Sequence, residues 1–302
     1  MKKLLIVLMV LCGVFTVWGN AFSQCTSTGF PTNPTTGNPL LTAALVNPSG
    51  TVKGTVDATG CGVGVYYGPG KKGKIDGANI INAVYYGVLV NDASVDVVDS
   101  TISIGVANLW GPIDYRPIGV FYINGDKKTH KIEGNTINLL DYGKGGIIAK
   151  NPTTHVNISG NTINGFGPNS TIASNGIEIG DGAHAQITDN VVKANQYSLT
   201  DTNATGILIF GGPGFGSGGV FGGSHYTGNV TVRDNILTNN DVGIYLSNAN
   251  TGQLVPNKTS NDIEDNEISN DGTSLNIYNT GIVYASGNGD TIKTNTIYGA
   301  GY

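Results

Sequence analysis

Short apolar runs alternate with polar residues along most of the chain, and Gly, Asn, Asp or Thr breaks each run. A period of two marks a strand whose two faces see different surroundings. Two columns repeat. One is Gly, then Val or Ile, then a variable residue, then an apolar one. It begins at Gly62, Gly87, Gly119, Gly146, Gly176, Gly206, Gly243 and Gly281. The other is apolar-x-x-Asn-x-apolar, centred on Asn135, Asn161, Asn190, Asn235, Asn266 and Asn295, with Ala78 and Ser100 in the Asn slot of the two earliest copies. Successive Asn copies are 26 residues apart at their closest (Asn135 to Asn161) and 45 at their widest (Asn190 to Asn235). Self-similarity at such a period means stacked units. Each unit holds three strand-like runs, which predicts a three-strand coil lying parallel to the next coil, ~4.8 Å away. The eight Gly copies predict about eight coils over 51–302.

The Asn column has a physical reason. The chain must turn sharply between two strands, and Asn tolerates the left-handed conformation such a turn needs. Its amide is also expected to bond the Asn of neighbouring coils, as an internal ladder. This double repeat resembles the right-handed parallel β-helix superfamily, the pectin-lyase-like fold, over roughly residues 51–302. The resemblance implies an all-β solenoid. It implies that the sheet before the Asn turn is the second, the one after it the third, and the Gly-led strand the first. It places the usual active site of relatives on the outer face of the first sheet, between the flanking loops. It says little about activity, because such folds carry lyases, glycosidases, esterases, epimerases, adhesins and non-catalytic surface proteins.

In the Gly-led strand the two apolar residues point in and the variable residue points out. Down the coils the outward row reads Gly64, Leu89, Phe121, Ile148, Glu178, Leu208, Tyr245 and Val283. Pectin-cleaving relatives gather Asp, Arg, Lys and His there, whereas this row has one carboxylate. An exposed apolar row needs a cover or a partner. Three readings stand. Residues 24–50 or the loops cover it. It docks a carbohydrate or protein, with Phe121 and Tyr245 as stacking platforms beside Leu208 and Glu178. Or Glu178 is catalytic, with Asp181 or Asp201 as the second acid that glycoside hydrolysis uses. The expectation is a non-catalytic binding or structural protein for a polysaccharide or cell-surface component. A polysaccharide lyase or hydrolase with an atypical site around Glu178 is the alternative.

Further columns invite metal chemistry. His155 and His184 each stand six residues before a ladder Asn, so they are expected to stack on adjacent coils, while His130 is one residue out of register. A chelate wants a third ligand, so no metal is assigned to the pair. Asp189, Asp234 and Asp265 share a register, and stacked carboxylates invite Ca²⁺. Ordinary turn chemistry screened by Arg233 is the plainer account, and no other cofactor is expected. The stretch from Phe210 to Gly228 contains a formal GxGxxG at 214–219 with no helix signal after it, so a surface loop is expected rather than a dinucleotide site.

Composition narrows the class. Charged residues are 12% of the chain, against a usual ~25%, while Gly numbers 46 and Asn 34 of 302. Turn formers abound and helix-surface charges are scarce, which excludes a coiled coil. A net charge of −5 leaves no footprint for nucleic acid. Residues 1–23 read as a secretory signal: Lys2 and Lys3, an apolar run from Leu4 to Val17, then Ala21 and Ser23 before a cut ahead of Gln24. Once it is removed, no stretch has the length and apolarity of a transmembrane helix. The chain is therefore expected to be secreted, periplasmic or on the cell surface. Residues 24–50 are assigned to an N-terminal segment and cap. Cys25 and Cys61 are expected to pair in an oxidising compartment, with lipidation of Cys25 as the rival.

Overall fold

The computed structural model describes residues 24–31, 40–105, 117–199, 202–213, 224–248, 254–255, 258–272 and 279–299. The signal segment, Asp201 and the GxGxxG stretch lie outside them. Among the described residues every regular element is a strand. The Gly-led strands form one sheet in which Leu40–Val46, Val63–Tyr67, Tyr86–Asn91, Ile118–Ile123, Gly145–Lys150, Asn175–Gly180, Thr205–Phe210, Val242–Ser247 and Thr280–Ser286 follow one another in chain order, each parallel to the next. The strands before and after each Asn turn form two further parallel stacks. Lys72–Ile81 runs through both and joins them into a 16-stranded sheet. The chain thus visits three faces in turn and returns one strand further along.

Inward residues of all three faces meet in one core. Val88, Ile147 and Ile177 from the first sheet are fully buried with Ile132, Ile158 and Ile187 from the second and Ile137 and Ile163 from the third. Burying each such side chain contributes about 1.5–3 kcal/mol.

The two sequence columns prove to be one contact. A Cβ placed on Gly119 would stand 2.6 Å from Ile137 Cγ2 and 2.6 Å from the Gly146 carbonyl oxygen; on Gly176 it would stand 2.3 Å from Val192 Cγ1 and 2.7 Å from the Gly206 oxygen. The apolar residue two after each Asn therefore packs on the glycine that opens the first strand of its own coil. In the first copy this glycine is Gly64, facing Ile80 and the Gly87 oxygen. The register confirms the shift, since Tyr66, not Gly64, pairs with Leu89 in the outward row.

The Asn ladder is present. The Nδ2 groups of Asn135, Asn161, Asn190, Asn235 and Asn266 each donate 2.9 Å bonds to Oδ1 of the next Asn, ending at Asn295. The same oxygens accept the backbone N–H of the preceding ladder residue. Ser100 and Ala78 continue the series through the Ser100 hydroxyl. The left-handed residue, however, is not the Asn. It is the one before: Gly134, Gly160, Asp189, Asp234, Asp265 and Thr294 have φ of +56° to +66°. The side chain that turns inward must follow the corner, so the corner itself falls one residue earlier. A second buried ladder, Ser174 to Asn195 to Asn240, runs at the corner after the third strand.

At the N-terminal end, Thr26–Pro31 pairs antiparallel with Leu40–Val46 and covers the edge of the first sheet. Such an edge would otherwise offer unpaired backbone groups. Cys25 and Cys61 form a disulfide with a Cα–Cα distance of 5.4 Å. It ties this added strand to the first full coil. At the opposite end, Ile292 and Ile297 of the last described coil are 41% and 45% exposed, whereas their equivalents Ile263 and Ile268 are buried.

Candidate functional site

The outward row of the first sheet divides into two halves. Leu89, Phe121 and Ile148 are fully buried. They belong to a second apolar cluster outside the solenoid core, with Tyr66, Tyr86 and Ile118. The rings of Tyr86 and Phe121 lie 5.5 Å apart. Phe121 is therefore packing and not a stacking platform, which corrects the sequence expectation. The N-terminal segment extends the sheet and contributes Phe30, Leu41 and Ala43 to one end of the cluster. Leu208, Tyr245 and Val283, further along, are half-buried and keep a surface toward solvent.

Glu178 stands at the boundary. It pairs in register with Ile148 on one side and Leu208 on the other. Only 5% exposed, it accepts a 2.8 Å hydrogen bond from Asn175 Nδ2. Beyond it on the same strand, Gly180 leaves room for the Phe210 ring, whose carbons would stand 2.4 Å from a Cβ there. Lys150 Nζ lies 5.3 Å from the centre of that ring, and both residues are buried.

Asp181 ends the strand with φ +50° and is 6% exposed. Its Oδ1 accepts the backbone N–H groups of Ser224 and His225 and faces His225 Nδ1, all at 2.8–3.0 Å. Its Oδ2 accepts Asn151 Nδ2 at 3.0 Å. The hydrogen bonds of Glu178 and Asp181 go to different partners, so the structure does not bring the two candidate acids into one hydrogen-bonded pair. Asp181 anchors a loop.

His155 and His184 do pair in register, with ring centres 4.5 Å apart. Burial and then the neighbouring His155 hold the His184 imidazole below its ordinary pKa. Among the described residues no group of three His, Cys, Asp or Glu converges as metal ligands. His130 turns inward, 3% exposed, bonds Asp126 at 2.8 Å and stacks beside Tyr122. The Asp189, Asp234 and Asp265 series is exposed on left-handed turns. The Arg233 guanidinium pairs with Glu264, as Lys293 does at 2.8 Å.

Sequence reasoning missed one feature. Beside the strand end at Asp181, a cleft of about 480 Å³ opens between Gly182, His184, His225, Tyr226 and Lys258. These residues come from three separate chain segments, and no repeat column links them. The contacts to Asp181 are the signal that finds it.

No protein-family model matches the chain, and no curated protein sequence matches it. Among solved structures it is similar to the Dettilon tailspike protein (gp208), at 15% identity and a TM-score of 0.44 over 83% of this chain and 55% of that one. It is also similar to the Azotobacter vinelandii mannuronan C-5 epimerase AlgE6 A-module, at 16% identity and a TM-score of 0.36 over 84% and 57%. The chain thus spans little more than half the length of either. Independently of both likenesses, the in-register parallel pairing from coil to coil makes this chain a parallel β-helix protein.

Proposed function

We propose that the protein is an exported, non-catalytic β-helix that binds a carbohydrate or another cell-surface component on the outer face of its first sheet. The observation that carries this reading is the state of Glu178. The one carboxylate of the row is buried, bonded to Asn175 and set between Ile148 and Leu208. Ordinary glycoside hydrolysis needs two acids facing one bond, and the other described candidate, Asp181, is occupied in holding a loop. The half-exposed Leu208, Tyr245 and Val283 offer the kind of apolar and aromatic surface on which a sugar ring or a partner side chain packs. The disulfide fits an oxidising compartment.

The test is retention on insoluble polysaccharides and washed cell envelopes. The double change Tyr245→Ala and Leu208→Ala is expected to lower retention, at ~0.5–1.5 kcal/mol for the lost ring beyond area burial, with little change in melting temperature. Undiminished retention by a folded double variant would refute the assigned face.

A further inference from the structure

The geometry points to a second binding site, in the cleft beside Asp181, that takes a tetrahedral oxyanion: the phosphate or sulfate ester of a sugar. The cleft, about 480 Å³, lies within the range that holds a small ligand. Its lining includes neither Leu208 nor Tyr245. Its nitrogens come from three chain segments: His184 from the start of the strand His184–Thr188, His225 from the loop at 224–229, and Lys258 from the segment at 258–259.

The wall is built rather than incidental. Asp181 is 6% exposed and sits beneath it, holding the Ser224 and His225 N–H groups. With Nδ1 of His225 donating to the same carboxylate, Nε2 is the ring atom left for a ligand, on a side chain 54% exposed, and it donates when the ring is protonated. A Cβ on Gly182 would stand 2.9 Å from both His225 Cβ and Pro152 Cγ, so only glycine lets these walls approach. Tyr226, packed over Gly212, adds an aromatic edge for a sugar ring.

The charge pattern selects the ligand. The whole chain carries −5, yet this lining holds two imidazoles and a lysine and, among the described residues, no carboxylate. Asp181 directs its charge to the loop and the His225 ring. With both rings protonated, three donors on separate segments match the three free oxygens of an ester group. A carboxylate presents two, and a neutral sugar leaves the cationic side uncompensated.

Calorimetric titration at low salt and mildly acidic pH, where imidazoles take up a proton, tests this, with glucose 6-phosphate, N-acetylglucosamine 6-sulfate, glucuronate and glucose as probes. Saturable binding of at least one ester is expected, roughly tenfold or more tighter than glucuronate, which presents one oxygen fewer, or glucose, which makes no charge-assisted bond. Which ester binds separates phosphate from sulfate. Lys258→Gln and His225→Gln should each weaken it roughly fivefold or more, added salt should weaken it further, and Tyr245→Ala should leave it unchanged. Failure to bind either ester, equal binding of glucuronate or glucose, or full binding by the Lys258 and His225 variants would overturn the proposal. None of these results bears on retention through the Tyr245 face.

Discussion

The Asn190 side chain makes five hydrogen bonds. Its Nδ2 donates to Asn235 Oδ1 and to the Ile158 and Thr188 carbonyls, and its Oδ1 accepts from Asn161 Nδ2 and N. Removing it leaves buried polar groups on two coils without partners, so Asn190→Ala should destabilise by ~1–3 kcal/mol in a denaturant titration. An unchanged midpoint would refute the ladder's energetic role. The ladder was legible because the interior amide demands one residue type at one spacing. The left-handed corner was assigned one residue late, because Gly, Asp and Thr all tolerate that position and leave no single signature. Two titrating groups set a pH dependence. For Asp126, burial raises the pKa, but His130 and Lys128 outweigh it and bring it to about 2. The stability of this pair is present above the ordinary aspartate pKa of 3.8 and is lost as pH falls toward about 2. For His184 the depressed pKa favours the neutral ring. That stability is complete above 6.5 and declines as the pH drops through the folded value. Melting curves should therefore shift down below neutrality in the wild type, and less so in His184→Gln.

At the scale of the element, alternation told which side chains leave the first sheet but not what meets them. Phe121 and Tyr245 occupy equivalent outward positions in the repeat, yet one is fully buried and the other half-buried. Burial of an outward residue depends on neighbours far away in sequence, which a repeat pattern does not encode. Phe121→Ala should cost ~3–5 kcal/mol, and Tyr245→Ala much less; comparable losses would contradict the division of the face. The first Gly copy was read two residues early because Gly62 and Gly64 both fit the pattern. Contact with Ile80 and the strand register distinguish them. The disulfide was legible from cysteine arithmetic. It closes a separation of 36 residues, for which chain entropy predicts ~3–4 kcal/mol. Reduction, or Cys61→Ser, should lower the unfolding free energy from a denaturant titration by that much, and free thiols in the exported protein would contradict the pairing.

For the whole molecule, the repeat determined the architecture because each coil buries its apolar face only against its neighbours. Chemistry is not repeated, so the periodic reading found the carboxylates one by one and missed the cleft that three chain segments assemble around Asp181. The most direct measurement is product release. The purified protein is incubated with a panel of neutral and acidic polysaccharides while new reducing ends and unsaturated products are followed, beside Glu178→Gln. Retention on one of them without products, equal in both proteins, is the expected result. Depolymerisation that Glu178→Gln abolishes would contradict the binding reading and make the buried carboxylate of the first sheet a catalytic acid.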